Sequence, residues 1–371
     1  MNDKIKILHI IGKRPRGGIG TFLLNMHSNI DVSKIQFEYL INAETPEGDF
    51  DRKVKELGGK VYVLPELRYK NTLKYLKELN HFFECHNDYK AVHVHSANIG
   101  VFNFVQAKKH GINYLIVHSH NTKYSDKKLN SIRNFFMQIP LKKMANIYFA
   151  CSKKAGKFLF GKNNIDKGKV YIANNAINAE KFRYNKSIRE KTRKKLGIQN
   201  KLVLGHVGRF NNQKNHDFLI DIFQKVHEVK KNSILILIGD GELENEIRLK
   251  VKRLNLEKFV YFLGIRSDVA DLFQAFDLFI LPSLFEGLPL VGIEAQASGL
   301  PCILSDSITD EIKITDNVEF ISLSHDCNYW ANKLIEITKK NIREDTYNNI
   351  VKSGYDAKFA AKKLQQFYID L

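Results

Sequence analysis

The chain has 371 residues, 44% hydrophobic and 26% charged, with a formal net charge of +18. That length is more than one compact core usually organises, so two domains are expected. Cys85, Cys151, Cys302 and Cys327 lie far apart with no CxxC pair, which argues against a disulfide framework or a zinc site and fits a reducing compartment.

The first apolar stretch, Ile5–Ile11, is too short to span a membrane and lacks a small-residue cleavage site, so it reads as a strand. No later apolar run reaches spanning length. The expectation is a cytoplasmic protein, either free or attached peripherally to the inner face of the cell membrane. Further strands are predicted at Ile35–Ile41, Val61–Leu64, Ala91–His95, Tyr114–Val117, Ile147–Ala150 and Val170–Ile172. A second series follows at Leu202–Val207, Ser233–Ile238, Phe259–Leu263, Leu278–Leu281, Cys302–Leu304 and Val318–Ile321. These runs are almost continuously apolar, as parallel strands covered on both faces are, and helical patterns separate most of them. Two doubly wound α/β sheets are the predicted fold. The polar, basic stretch Ala179–Lys201 marks a break, giving domains 1–180 and 181–354. An amphipathic helix is expected over Tyr355–Leu371.

Several loops carry residues suited to chemistry. After the first strand comes Arg16-Gly17-Gly18-Ile19-Gly20-Thr21, whose glycines permit a tight turn and close backbone approach to a ligand at a helix start. It is neither GxGxxG nor a P-loop. His93 and His95, and then His118 and His120, stand two apart at strand ends, so each pair shares one face. No carboxylate accompanies them at ligand spacing, and no metal is expected. The stretch 127–143 mixes cations with Leu129, Ile132, Phe135, Phe136 and Ile139 at helical spacing. It could lie on an anionic membrane, or turn its apolar side to the core and a basic face to water. Arg209 and Lys214 leave the carboxyl end of a buried strand, where open α/β sheets bind ligands and two cations can neutralise a diphosphate. Gly239–Glu242 and Phe262–Arg266 are turns after strands. Glu286 and Glu294 then stand with seven residues between them across a strand-loop-helix unit. Pro289 is placed at the first helical position, with Gly299 and Pro301 closing the helix. The N-terminus of that helix is a seat for phosphate.

The Glu286…Glu294 segment resembles the Glu-x7-Glu signature of glycosyltransferase family 4, the retaining GT-B enzymes, and the likeness extends over nearly the whole chain. The resemblance implies two facing Rossmann-like domains with doubly wound parallel sheets, the site in the cleft between them, and the last helix packing back on the first domain. It implies α-glycosyl transfer with retention from a UDP-sugar bound by the C-terminal half to an acceptor held by the N-terminal half, without metal or cofactor. Glu286, Arg209, Lys214 and His118 would be the catalytic groups. Gly18, Gly20, Gly208, Gly241, Ile265, Gly287, Leu288, Pro289, Leu290 and Glu294 would bind the donor. His95, His120 and Asn121 would lie on the acceptor side. One departure is Asn215, where glycine often follows the lysine. The flavour of the motifs is most similar to bacterial enzymes that assemble capsule or exopolysaccharide units, which implies a lipid-linked saccharide acceptor. The competing readings are a UDP-sugar epimerase or another GT-B relative and, from a different class, a basic nucleic-acid-binding protein. No RNA-binding motif or basic recognition helix with interleaved aromatics supports the last, so nucleic acid is not an expected partner.

Overall fold

The computed structural model describes residues 4–15, 18–44, 47–120, 128–340 and 343–371. The chain divides into two compact units, Met1–Ala176 with Ala357–Leu371, and Ile177–Asp356. Among the described residues, all thirteen strands fall where the apolar runs are, and every pairing among them is parallel.

In the first unit β1 (Ile5–Lys13), β2 (Ile35–Asn42), β3 (Lys60–Leu64), β4 (Ala91–Val94), β5 (Tyr114–Ser119), β6 (Ile147–Ala150) and β7 (Val170–Ile172) form one sheet in the order β3-β2-β1-β4-β5-β6-β7. Both faces carry a core, which explains the nearly unbroken apolar runs. One core gathers Leu8, Ile10, Val92, Val94, Leu115 and Val117. The other gathers Ile7, Phe37, Tyr39, Ile116 and Phe149 with Ala357, Ala361, Leu364 and Tyr368 of the last helix, Ala357–Ile369.

In the second unit β8 (Leu202–Val207), β9 (Ser233–Ile238), β10 (Val260–Phe262), β11 (Leu278–Leu281), β12 (Cys302–Ser305) and β13 (Val318–Ile321) are ordered β10-β9-β8-β11-β12-β13. It too carries a core on each face, one of them holding Trp330, the sole tryptophan of the sequence.

Two expectations need correction. The stretch read as a break, Ala179–Lys201, folds as helices Ala179–Phe182 and Lys186–Leu196, and Ala179, Phe182 and Ile198 enter the core of the second unit. Its polar outer face had hidden those anchors. The division lies not at 180 and 354 but at Ala176/Ile177 and Asp356/Ala357. Ile177 donates its N–H to Tyr355 O at 2.9 Å and bridges Asp356, so both chain passages are stitched into the second unit.

Candidate active site

Strand order in the second unit reverses between β8 and β11, and ligands of open α/β sheets bind at the carboxyl ends flanking such a switch point. Arg209 and Lys214 follow β8, and Glu286 follows β11, so sequence positions more than seventy apart are brought to one place. The two loops are tied at the backbone, where Leu284 N–H donates to Gln213 O at 2.8 Å. Asn215 has φ +56 and ψ +46, the left-handed conformation that glycine and asparagine tolerate best. That accounts for Asn where glycine is common.

Glu286 is held by three donors. Lys214 Nζ lies 2.6 Å from Oε1, Ser283 Oγ 2.9 Å from Oε1 and Gln213 Nε2 3.0 Å from Oε2. Both members of the ion pair are largely buried, at 14% and 8% side-chain exposure. Ser283 is fixed in turn, because its carbonyl accepts from Ser305 Oγ and Ser307 Oγ at 2.5 and 2.6 Å. A carboxylate offers about four acceptor sites, so one remains on Oε2 for a ligand hydroxyl. Lys214 spends one of its three donors on Glu286. The Arg209 side chain, by contrast, is exposed and makes no hydrogen bond or ion pair with the described residues, its backbone carbonyl accepting from Asn211 N–H at 2.8 Å.

The helix after β11 runs Leu290–Ala297. Pro289 is its N-cap rather than its first residue: its φ and ψ of −73° and 110° are extended, and its carbonyl accepts the Gly292 N–H at 3.0 Å. The first turn still leaves N–H groups without intrahelical acceptors. Gly287 is exposed in open space, while Leu288 and Leu290 are half-buried beside it. Glu294, half-buried on this helix, has its pKa raised to about 7 by burial, with Lys181 opposing the shift.

Beside β8 the backbone packs tightly. A side chain at Gly239 would stand 2.1 Å from Gly208 O, and one at Gly241 would stand 2.4 Å from Phe210 O. The turn after β9 therefore requires glycine, and Gly241 serves that turn whatever else it does. Ile265 projects into solvent at 77% exposure.

In the first unit the switch point lies between β1 and β4, and histidines gather there and along β5. His9 pairs in register with His93. His9 Nδ1 lies 3.0 Å from His95 Nε2, and His95 Nδ1 lies 2.8 Å from His120 Nε2. A second series runs from Tyr368 OH to His93 Nδ1 at 2.6 Å and from His93 Nε2 to His118 Nδ1 at 3.2 Å. Burial lowers the pKa of all five imidazoles, to about 3 for His9 and His120, and the neighbouring rings add to the effect for His93, His95 and His118. The nitrogens of His9/His93/His95 and of His95/His118/His120 approach within 4.8 Å of one another, close enough for a metal ion. Each triple nevertheless contains nitrogens already hydrogen-bonded to each other, and neither includes a carboxylate to offset a cation's charge.

The helix Gly18–His27 reaches this cluster through Phe22, whose ring is 5.4 Å from His118 and 6.0 Å from His120. A Cβ at Gly18 or Gly20 would meet only ordinary contacts, at 3.7 and 3.4 Å. Asn121, Arg16, Gly17 and Lys127 lie outside the described residues, as does the side chain of Leu129. In the helix Lys128–Met144, Ile132, Phe135, Phe136 and Ile139 are 58%, 45%, 63% and 39% exposed, so these apolar residues are not the core-facing side. Gln138 and Leu141 are.

The sequence reading overlooked Gln213, Ser283, His9 and Tyr368. Gln213 adjoins Lys214, and Ser283 stands three before Glu286, so proximity to the motif was a usable signal. Nothing local marked His9, which resembles any strand residue, or Tyr368, 275 residues from its partner His93.

The Glycosyl transferases group 1 family matches residues 188–357. A putative glycosyltransferase of Bacillus subtilis, EpsF, is 33% identical over 364 residues, covering 96% of this chain and 94% of its own length. An Escherichia coli UDP-Gal:alpha-D-GlcNAc-diphosphoundecaprenol alpha-1,3-galactosyltransferase is 25% identical, covering 100% of this chain and 98% of its own. The crystal structure of Anabaena HepE in complex with UDP superposes with a TM-score of 0.80 at 19% identity, covering 99% of this chain and 100% of that one. With its pair of Rossmann-like parallel sheets, the chain is a GT-B protein and belongs to the group 1 glycosyltransferases.

Proposed function

We propose that the enzyme transfers a sugar from a UDP-sugar to a lipid-linked saccharide, with retention at the anomeric carbon, during assembly of a capsular or exopolysaccharide unit. The observation that carries this reading is the site of the second unit: a carboxylate locked by Lys214, Ser283 and Gln213, with an unpaired cation, Arg209, on the same strand ends. Arg209 and the two remaining donors of Lys214 offset charge on the departing diphosphate, together with the N-terminus of Leu290–Ala297. Glu286 accepts a sugar hydroxyl through its remaining site on Oε2, and Glu294 accepts from the ribose. Gly208, Gly241 and Ile265 border the nucleotide, and Gly287–Leu290 the sugar and phosphates. In the first unit, the family likeness assigns Gly18, Gly20 and His118 to the donor, and His95, His120 and Asn121 to the acceptor. This reaction draws on no cofactor or metal.

The E. coli relative's name supports the lipid-diphosphate acceptor and the UDP donor, and the UDP complex of HepE supports the latter. Retention rests on the likeness of the Glu286…Glu294 segment to the family signature. No helix among the described residues is long and apolar enough to cross a membrane. The exposed apolar side of Lys128–Met144, with Arg133 and Lys143 exposed beside it, is our candidate for resting on the anionic leaflet that carries the acceptor.

UDP release from a panel of UDP-sugars, with and without membrane lipid extract, tests the reading in wild type, Arg209→Ala and Glu286→Gln. Extract-dependent release from one donor, lost in both variants and giving an α-linked product by NMR, is expected. No release from any donor, with UDP failing to raise the melting temperature, would sink it.

A further inference from the structure

Tyr368 lies in the last helix and is fully buried. Among the described residues its hydroxyl has one partner, His93 Nδ1. A buried hydroxyl hydrogen without an acceptor is costly, so the phenol must donate and His93 Nδ1 must be the lone-pair nitrogen. Desolvation and neighbouring imidazoles lower the pKa of both His93 and His118, so each ring is neutral and carries one proton. His93 therefore holds its proton on Nε2 and donates it to His118 Nδ1. By the same count His118 carries its own proton on Nε2. That nitrogen is buried and has no partner among the described residues.

We propose that Tyr368 and His93 are positioning residues that fix His118 as the Nε2–H tautomer, so that it offers a hydrogen-bond donor, and never an acceptor, to an oxygen of the bound substrate. The parallel series shows what the phenol contributes. His9, His95 and His120 are linked in the same way, but among the described residues both ends, His9 Nε2 and His120 Nδ1, lack partners and no hydroxyl sets the direction. Hydrogen-bond counting leaves that series free to run either way, whereas the Tyr368 series has one polarity. The ligand chemistry follows: a sugar hydroxyl or phosphate oxygen that accepts at His118. The proposal rests on the sugar-transfer reading only for what His118 contacts; the tautomer itself does not depend on it.

The test uses the full chain with 15N-labelled histidine and long-range 15N–1H correlation spectra, assigned with His118→Gln and His93→Gln. Wild type is expected to show the Nε2–H pattern for both His93 and His118. Tyr368→Phe keeps the ring packing and removes the donor, so His118 should become a mixture of tautomers. In the same variant kcat for UDP release should fall about tenfold, one hydrogen bond's worth, with KM changing less. An Nδ1–H pattern at His118 in wild type would overturn the proposal. So would a Tyr368→Phe protein that matches wild type in tautomer or in kcat. If wild type turns over no UDP-sugar while its spectra show the Nε2–H pattern, the transfer reading fails and the relay stands.

Discussion

Glu294, proposed above to accept from the ribose, has two protonation states with opposite expected consequences for folding and for binding. Burial raises its folded pKa from 4.5 to about 7, so the folded protein holds the proton that the unfolded chain releases. Stability is therefore greatest below pH 4.5 as far as this group is concerned, falls as the pH rises to 7, and is level above it. Nucleotide binding should run the other way, because a carboxylate accepts from both ribose hydroxyls and a carboxylic acid gives up part of that capacity. UDP affinity measured by calorimetry from pH 5.5 to 8.5 should increase through pH 7, and Glu294→Gln should flatten the profile. A wild-type profile as flat as the variant's would remove Glu294 from the nucleotide site. Lys214 and Glu286 make a different prediction. Lys214→Ala leaves Glu286 buried without its cation, which should cost about 3 kcal/mol of stability in denaturant unfolding. The double variant Lys214→Met, Glu286→Gln should recover much of that loss yet remain inactive. If it stays as unstable as the single variant, the pair is not what strains the site. The residue types here were legible from the motif and its spacing; their pairing was not. Glu286 and Lys214 were each assigned to a ligand, and only the adjacency of β8 and β11 shows that they first hold one another.

Secondary-structure elements explain both why so much of this chain was readable and where reading stopped. Most strands were legible because burial on two faces leaves an almost continuously apolar run, broken only by single polar residues such as His9, Glu38 and His93. The Lys128–Met144 helix shows the opposite limit. Its spacing reveals an apolar side, but periodicity cannot say whether that side meets core or solvent, and here Ile132, Phe136 and Ile139 face out. Binding to vesicles containing anionic lipid should therefore weaken about tenfold or more in an Ile132→Ser, Phe136→Ser variant, roughly the loss of two partly buried apolar groups. Flotation measures it; unchanged binding would detach this helix from the membrane. The glycine-loop helix gives a sharper contrast. No neighbour among the described residues demands glycine at position 20. Gly20→Ala should leave the melting temperature unchanged or raise it, by an amount equivalent to about 0.5–1 kcal/mol. UDP release should nonetheless collapse if the loop is kept open for a ligand. A drop in melting temperature would mean that the glycine serves the fold.

At the scale of the whole molecule, the two units differ in how the chain makes them. The second is one continuous stretch, Ile177–Asp356, with a core on each face of its sheet. The first is completed by residues 357–371, which follow the second unit in the chain. Those residues are structural: Ala357, Ala361, Leu364 and Tyr368 cover the sheet face that carries Ile7, Phe37, Tyr39 and Phe149. Burying Leu364 and Tyr368 alone is worth on the order of 4 kcal/mol, a large share of the 5–15 kcal/mol that usually holds a domain. Residues 1–176 produced alone should thus lack a cooperative melt, while 177–356 alone should show one. The path of the chain suggests a repair. Ile177 donates to Tyr355 O and bridges Asp356, so the chain leaves the first unit and returns to it at adjacent points. Joining 176 to 357 through a short glycine linker should restore cooperative unfolding, read by calorimetry. It should also restore the Tyr368–His93 hydrogen bond, since both partners lie in the joined fragment. A joined fragment that stays molten would show that the first unit needs the second in order to fold, and that the apolar face under the last helix is insufficient by itself. A cooperative melt from 1–176 alone would instead free the helix from its structural duty, leaving the orientation of His118 as the reason for Tyr368.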